Sequence, residues 1–583
     1  MNRKILFFGF LGIFCVSLFV FFPSFFHVSR ADHNVYLIET AEMESLSDLV
    51  VFSYSYPRTR QINTGDALFF RPVFYFFLAL EKWLFGFNPL GWQVTGFVLH
   101  MIVIWQILRI ATLVHASFLS LPLALGFAVL FISQEMVIWH HVNGYILCVV
   151  FLLQAFYYFA QYVLSSQTQS SLMKKMVVLL SLGCLTFEFS VACCLIFMFF
   201  LFVHSIGKYK TDDNTFLHGR IEDVSRSKMK GELSCRKIGC VQKSGGNTSS
   251  RGWHNIGVLV IPIVVYACMS LGDYLARVGL PSLPGGGAAD ISGVVKDFFL
   301  VFLTLGAAVL MPYFCRFLPA ARTEFKHLMV NDIAREFGHY NGWEFFNVLY
   351  ILLFAGWLIC VFRLCVKRRE LFRKDCGPED KNITAKHIGI LAATSLSMSG
   401  AYCFMITVGR LQGKTFGYIV NSLYHFYIIA LFLVIGLYCL GYLFFLYFGK
   451  ERGMRGLRWG LWVLLLMSVC LNAYQSYTFN MKAKHHWKRQ RAQVQRFSAF
   501  VREHKHEKDF SFKILLNEFD ESIEYYLGDP KTQPVMIGSY TNLIFRRYIK
   551  DSPKYFLVYL EREGIKDFLS KKEAADYLNT LVE

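Results

Sequence analysis

The chain has 583 residues, of which 55% are hydrophobic and 17% charged, whereas about a quarter of the residues of an average soluble domain are charged. A soluble protein of this size cannot bury so much apolar surface in ordinary cores, and a disordered chain would be far more polar, so the sequence predicts a protein embedded in lipid. The net charge of +18 then indicates basic loops that face anionic lipid rather than a nucleic-acid-binding surface.

The first apolar run, residues 5–26, follows two basic residues and is long enough to cross a bilayer. No clear small-residue cleavage motif follows it, so we predict a retained first helix with its N-terminus in the cytoplasm. An outer loop over 27–91 comes next. Its segment 70–87 is apolar but carries charges, which predicts a helix that lies along the membrane interface.

Further hydrophobic windows of about 20 residues predict ten more membrane spans. They cover 92–113, 118–138, 144–164, 174–190, 190–206, 256–273, 343–363, 387–407, 420–447 and 457–477. The continuous stretch 174–206 holds two spans only if a tight turn divides it near Glu188. Segment 297–315 is ambiguous, because it fits either a half-buried or re-entrant helix or a twelfth span.

Basic loops predict which side of the membrane each segment faces. Eleven spans put the basic segments 207–256, 363–381 and 449–458 in the cytoplasm and the C-terminus outside. The basic run 482–508 argues for the opposite arrangement, which a twelfth span would give. Charge alone favours eleven spans by a small margin.

The predicted architecture has two parts, an all-α transmembrane domain over 1–480 and a small soluble domain over 481–583. The second part alternates short strand-like runs, such as Tyr555–Tyr559, with helix-like ones, so we predict an extracytoplasmic α/β fold. The 15 Cys residues are scattered and form no CxxC pair, so no metal site is predicted.

Ionisable residues at the mouth of a helix bundle are the first candidates for chemistry. Asp32 follows the first helix and can act as a general base on a hydroxyl; the alternative is a solvated loop acid. Arg71 can hold a phosphate through two hydrogen bonds, or it can extend to lipid headgroups. Arg410 and Lys414 lie in a predicted outer turn, where they either stabilise an anionic leaving group or carry ordinary solvated charge.

A second group of candidates lies inside the spans or at their ends. Glu135, Trp139 and Asn143 cluster near one span end, although Trp139 is also typical of the aromatic belt at a membrane interface. His100 lies alone near mid-span and is more typical of a hydrogen-bonded packing residue than of a catalyst. Glu188 lies in an apolar run, where an unpaired carboxylate is costly, so we expect it to have a partner or a role.

An ordered set of motifs in residues 1–200 resembles the GT-C superfamily of glycosyltransferases. The set comprises Phe70-Arg71-Pro72-Val73, then Trp83-Leu84-Phe85-Gly86-Phe87-Asn88-Pro89-Leu90-Gly91-Trp92, then His100, Gln134-Glu135, Trp139 and Val142-Asn143-Gly144. Asp32 and Glu188 fall where members carry an acidic pair and a Ser-Lys-Glu motif. The most similar members are protein O-mannosyltransferases that depend on polyprenyl- or dolichyl-phosphate mannose.

The chain departs from this pattern at several positions. Ala31 replaces one member of the acidic pair, Tyr145 an arginine, Phe187 a lysine, Gln93 a histidine and Gly96 an asparagine. The first three positions therefore lack a charge that the family carries there.

The resemblance implies a metal-independent, cofactor-free, inverting transfer of a sugar. Asp32 would deprotonate the acceptor hydroxyl, and Arg71, Arg410 and Lys414 would stabilise the departing lipid phosphate. The supporting residues would be His100, Glu135, Trp139, Asn143 and Glu188. The implied partners are a polyprenyl-phosphate-linked sugar donor, a protein, glycan or lipid acceptor, and the bilayer.

Two other functions stay open. A lipid-linked oligosaccharide polymerase or ligase would use a diphosphate-linked donor. A transporter or flippase would show repeated halves and helices broken at the membrane midplane, and the sequence shows neither feature. Compact loops favour a bacterial inner membrane over the endoplasmic reticulum.

Overall fold

The fold is a bundle of helices, seen in a computed structural model. The structure describes residues 3–26, 36–37, 40, 43–53, 71–86, 88–115, 119–130, 133–165, 170–206, 258–278, 379–410, 423–448, 456–457, 459–478, 480–481, 484, 557–561 and 564–568. Only the backbone is described for residues 3, 135, 141, 271–278, 379–384, 407–410, 423–425, 447–448 and the two strands.

Nearly all of the described chain is helical. In chain order the main helices are α1 (Arg3–Phe21, continued by a 3-10 turn over Phe22–Phe26), α2 (Pro72–Phe85), α3 (Pro89–Val114), α4 (Ser120–Ala128), α5 (Ser133–Ile138), α6 (Asn143–Leu164), α7 (Ser170–Thr186), α8 (Phe189–Ile206), α9 (Val260–Val278), α10 (Glu379–Arg410), α11 (Leu423–Phe448) and α12 (459–478). A short helical segment over 46–53 precedes α2.

Six helices of the described part are long and apolar enough to cross a membrane. They are Lys4–Phe26, Pro89–Val114, Asn143–Leu164, Phe189–Ile206, Ala385–Ile406 and Phe426–Leu446. Each of them confirms one predicted span, and together they indicate a multi-pass membrane protein.

The other predicted spans have different outcomes. Those at 174–190, 256–273 and 457–477 are helical as α7, α9 and α12, but these helices do not reach the same length and hydropathy. Segments 297–315 and 343–363 lie outside the described residues. The basic loops that predict the orientation also lie almost wholly outside them, so the count of eleven spans stays a prediction.

The predicted turn near Glu188 is confirmed. Phe187 and Glu188 separate α7 from α8, and the Phe187 N–H donates to the Gly183 carbonyl at 2.8 Å. The Val191 N–H then donates to the Glu188 carbonyl at 3.0 Å, which starts the next helix. The Glu188 side chain is thereby held at a helix–helix corner.

The predicted span over 118–138 is not one continuous helix. Helix α4 ends at Ala128 and α5 begins at Ser133. The Ser133 N–H donates to the Leu130 carbonyl at 2.9 Å instead of continuing the α-helical ladder to Val129. No described residue of its own segment donates to the Val129 carbonyl.

Side chains from two other helices satisfy the carbonyls at this break. The Ser476 hydroxyl of α12 donates to the Val129 carbonyl at 3.0 Å. His100 Nε2 of α3 lies 3.1 Å from the Ala128 carbonyl, which can only accept, so this nitrogen donates. Non-helical backbone is tolerated at membrane depth only where such partners exist. The run 129–132 is uniformly apolar, without Gly or Pro, so no local signal marks the break.

Helices α3 and α6 form the centre of the bundle. In their most apolar windows 67% and 61% of the residues are buried, against 22% for α1. The α1 side chains Phe7, Phe8 and Phe19 are more than half exposed, as expected for a helix that faces lipid. The polar cluster described below lies where α2 and the corner between α7 and α8 meet α6.

Two short strands are described in the C-terminal part. Leu557–Glu561 and Gly564–Phe568 pair antiparallel, with Leu557 opposite Phe568. The first strand overlaps the predicted strand-like run Tyr555–Tyr559. The rest of the predicted α/β domain lies outside the described residues apart from 481 and 484, so that fold stays a prediction.

The helix break gives a test of backbone satisfaction. We expect Ser476→Ala to lower the free energy of unfolding by about 1–2 kcal/mol, because it leaves the buried Val129 carbonyl unpaired. The matched control is Ser181→Ala, whose hydroxyl donates at 2.8 Å to the Val177 carbonyl within its own helix. Thermal unfolding of both variants in detergent measures the difference. Equal losses would contradict a specific role for Ser476.

Candidate functional site

Local sequence fixes the start and the end of α2. Arg71 is the N-cap residue and Pro72 occupies the first turn, where a missing N–H costs no hydrogen bond. Gly86 ends the helix with φ at +53°, a conformation that favours glycine. Asn88 then caps α3, since its Oδ1 accepts from the Leu90 N–H at 3.1 Å. The tight connection keeps α2 packed beside α3.

A buried ion pair joins Arg71 to Glu188. The Arg71 Nε donates to Glu188 Oε2 at 2.8 Å, and Nη2 donates to Oε1, so the pair is bidentate. Arg71 is 6% exposed, and the Glu188 side chain is 22% exposed. The partner that the sequence predicts for Glu188 is therefore Arg71, and the pair opens toward the surface on the carboxylate side.

Two aromatic residues flank the Arg71 guanidinium. Arg71 Nη1 donates to the Tyr145 hydroxyl at 2.9 Å, and its Cζ lies 4.8 Å from the centroid of the Phe187 ring. Burial, the largest single influence, lowers the pKa of the guanidinium, but Glu188 together with Tyr145 and Tyr75 holds the pKa well above its ordinary value. Arg71 is therefore a permanent cation, stabilised by one carboxylate and two rings.

The first turn of α6 contacts α2 with three consecutive residues. Asn143 Nδ2 donates to Glu81 Oε1 at 2.7 Å. A Cβ at Gly144 would collide with the Phe74 ring, so only glycine lets the two helices approach this closely. Tyr145 bonds Arg71, as described above. The Asn143-Gly144 motif thus holds α2 against the bundle.

Glu81 is buried in this contact, with 2% of its surface exposed. Its Oε2 and the Oδ1 of Asn143 find no hydrogen-bond partner in the described part of the chain. Burial raises the pKa of the Glu81 carboxyl well above its ordinary range, and the hydrogen bond from Asn143 opposes only part of that shift. Glu81 is thus an acid that the fold favours in its neutral form.

A second polar group lies beside Asn143. Asn143 Nδ2 also donates to the Trp92 carbonyl at 3.1 Å, and Gln93 Nε2 of the same helix donates to the Val137 carbonyl at 2.6 Å. His140 Nε2 lies 3.1 Å from Gln93 Oε1, an oxygen that can only accept. These bonds tie the turn that contains Trp139, which is half-buried, to α3.

Gly96 provides room for this arrangement. A Cβ there would lie 2.7 Å from Asn143 Oδ1 and 3.1 Å from the Val137 carbonyl. A larger side chain at this position would displace Asn143 from Glu81.

His100 belongs to the helix break rather than to the Arg71 cluster. Its Nδ1 lies 2.9 Å from the Tyr427 hydroxyl, and because Nε2 donates to Ala128, Nδ1 accepts from that hydroxyl. Both ring nitrogens are therefore occupied by groups that join α3 to α4 and α11. This is the hydrogen-bonded packing role that the sequence favours.

The structure brings together Arg71, Asn143 and Glu188 from the predicted site. Asp32 and Lys414 lie outside the described residues. Arg410 ends α10 and Glu135 lies in α5, but their side chains also lie outside the described part.

Sequence reasoning missed four residues of the cluster: Glu81, Tyr145, Phe187 and Gln93. Glu81 was detectable as a charge in an apolar segment, but the interfacial interpretation assigned it to the membrane surface. Its partner Asn143 is 62 residues away.

The fold and the cluster define a class: a polytopic helical membrane protein with a buried, largely neutralised polar cluster at one end of its bundle. Comparison of the chain with protein family models, with curated proteins and with solved structures found no match.

The ion pair gives a test of its contribution to the fold. We expect Glu188→Gln to cost about 3 kcal/mol of unfolding free energy, at the lower end for a buried pair because Glu188 is 22% exposed. The double variant Arg71→Met with Glu188→Leu should recover much of that loss, since no buried charge is left alone. Arg109→Gln is the control, since Arg109 donates to the neutral Gln154 at 3.2 Å. A double variant less stable than Glu188→Gln would contradict the expectation.

Glu81 gives a test that depends on pH. Because the folded state raises the Glu81 pKa, the carboxyl contributes stability below its unfolded pKa and loses it as pH rises toward the folded pKa. Glu81→Gln mimics the neutral acid, so its stability relative to the wild type should increase from about pH 4 to pH 8. Thermal unfolding across this pH range measures the difference. A stability difference that does not change with pH would show that burial does not shift the pKa of Glu81.

Proposed function

We propose that this protein is an integral-membrane glycosyltransferase of the GT-C type. It moves a sugar from a polyprenyl-phosphate donor, mannose being the first candidate, to an extracytoplasmic protein, glycan or lipid acceptor. The reaction is an inverting displacement and uses no metal or cofactor.

One observation carries this proposal: three separate pieces of the motif set meet in space. Arg71 of the Phe-Arg-Pro motif, Asn143-Gly144 and Glu188 are up to 117 residues apart in sequence. They nevertheless meet around the first turn of α6, where Tyr145 accepts a hydrogen bond from Arg71 and Asn143 donates one to Glu81. Motif matches that arose by chance would have no reason to converge.

The proposed chemistry divides the work between a base and cations. Asp32 takes the proton of the acceptor hydroxyl, whose oxygen attacks the anomeric carbon while the bond to the lipid phosphate breaks. Arg71, Arg410 and Lys414 stabilise the negative charge on the departing phosphate. For Arg71 to do so, its guanidinium must share hydrogen bonds between Glu188 and the phosphate, and the partial exposure of Glu188 leaves a route to this pair.

The proposed topology has eleven spans, with the N-terminus in the cytoplasm and the α/β C-terminal domain outside, in a bacterial inner membrane or else the endoplasmic reticulum. In this arrangement Asp32 and the turn at Arg410 and Lys414 share the outer side. A lipid-borne donor then enters from the bilayer beside the acceptor.

A transporter or flippase is the second candidate, favoured by the break between α4 and α5. Broken helices are typical of substrate sites in transporters, and here α4 ends at Ala128 while α5 begins only at Ser133. The Gln134 amide that follows the break is buried and finds no partner in the described part of the chain. A polymerase or ligase is the third candidate. The donor distinguishes it from the first candidate, because it would use a diphosphate-linked donor.

The decisive assay measures transfer from radiolabelled polyprenyl-phosphate mannose by the purified full chain. We expect Asp32→Asn to lose at least about 100-fold in rate, the lower range for removal of a general base. Asp48→Asn is the matched control, since Asp48 is an exposed acid of the same loop. Wild-type activity in Asp32→Asn would remove Asp32 as the base. Movement of the labelled lipid across vesicles without transfer would favour the second candidate.

A further inference from the structure

Two oxygens in the α2–α6 contact have no hydrogen-bond partner in the described part of the chain. They are Oε2 of Glu81 and Oδ1 of Asn143, whose side chains are already joined through Glu81 Oε1 and Asn143 Nδ2 at 2.7 Å. Buried polar atoms in native proteins are nearly always paired, and an orphaned one costs about 1–3 kcal/mol. Two orphans on one bonded pair indicate a group that the described residues do not supply.

The chemistry of the two oxygens restricts what that group can be. Asn143 Oδ1 only accepts, so it needs a donor. Glu81 Oε2 accepts when the carboxyl is ionised and donates when it is protonated. With Glu81 protonated, one hydroxyl group satisfies both oxygens, because it donates to Asn143 Oδ1 and accepts from Glu81 Oε2, whereas an ammonium group or a metal ion cannot accept that proton. With Glu81 ionised, both oxygens need a donor, and the single hydroxyl proton serves only one of them.

The position of the pair connects it to the proposed site. Glu81 and Arg71 lie on the same helix and contact the same turn of α6, through Asn143 and Tyr145. Ten residues of helix separate the two Cα atoms by about 15 Å along the axis. The long Arg71 and Glu81 side chains can bring the guanidinium and the carboxyl closer together than that. The two groups bond to different residues of that turn, so one ligand would reach both only if it were elongated.

The outer loop packs next to this pair. Tyr36 and Leu37 of that loop form a buried cluster with Leu78 of α2 and Trp92 of α3. The Tyr36 hydroxyl is 2.7 Å from the Ser53 hydroxyl, and the Trp92 carbonyl accepts a hydrogen bond from Asn143. The orphaned oxygens thus lie where the described part of the outer loop meets the bundle.

We propose that Glu81 and Asn143 form a subsite for the hydroxyl groups of a phosphorylated sugar whose phosphate binds at Arg71. This inference rests on the proposed function for the phosphate end of the ligand. The hydroxyl itself has three sources: a sugar, an enclosed water, or a side chain outside the described residues. The binding experiment separates the sugar from the other two.

The experiment compares two probes on the purified full chain in detergent, by titration calorimetry. Inorganic phosphate tests the Arg71 end alone, and mannose 1-phosphate tests both ends. We expect the wild type to bind mannose 1-phosphate more tightly than phosphate. Glu81→Leu should weaken mannose 1-phosphate about tenfold, as expected for the loss of about 1.4 kcal/mol, and leave phosphate unchanged.

Two further variants guard against loss of folding. Glu81→Gln keeps an oxygen for the Asn143 bond and should retain part of the preference for the sugar phosphate. Glu44→Gln, at an exposed acid of the same loop, should bind both probes as the wild type does. Thermal unfolding shows whether each variant is folded before it is titrated.

The outcomes separate this inference from the proposed function. If Glu81→Leu leaves the ratio of the two dissociation constants unchanged, or if the wild type prefers neither probe, the oxygens serve only an enclosed water or a side chain outside the described residues, and the subsite is overturned. If the ratio depends on Glu81 but the wild type transfers no sugar, the subsite stands and the proposed function fails. If transfer is present and the ratio does not depend on Glu81, the function stands without this subsite.

Discussion

The arrangement of the polar cluster depends on one constraint: a guanidinium that is 6% exposed must be neutralised where it lies. Glu188 does this with both carboxylate oxygens, and it can do so only because the chain turns at Phe187 and Glu188 between two helices. Arg71 in turn is fixed because Pro72 begins α2 directly after it. The ion pair therefore sets the position of α2 against α6 and the α7–α8 corner.

The aromatic residues around Arg71 follow from the same constraint. Tyr145 and Phe187 both contact the guanidinium. Further buried cations at these positions could not be balanced by one carboxylate, whereas two rings stabilise a single cation without adding charge.

Sequence reasoning works here where the signal is local. Hydropathy over about 20 residues locates six spans within a few residues, and the buried charge of Glu188 requires a partner. It does not identify Arg71 as that partner, which is 117 residues away. The break after Ala128 leaves no trace in an apolar run, because Ser476 and His100 satisfy its carbonyls from other helices. The sequence indicates an interfacial Glu81, because it cannot distinguish a charge that faces headgroups from one that is hydrogen-bonded to a distant Asn143.

The helix break and the α2–α6 contact differ in which polar atoms lack a partner among the described residues. At the helix break the carbonyls of Ala128 and Val129 are already taken by His100 and Ser476, so the backbone there serves the fold, and the described side chain without a partner nearby is the Gln134 amide. In the α2–α6 contact the atoms without a partner among the described residues belong to an ionisable carboxyl and the amide bonded to it. A neutral amide can bind a ligand but cannot exchange a proton, whereas a carboxyl can do both. The α2–α6 contact is therefore better equipped than the break for proton exchange.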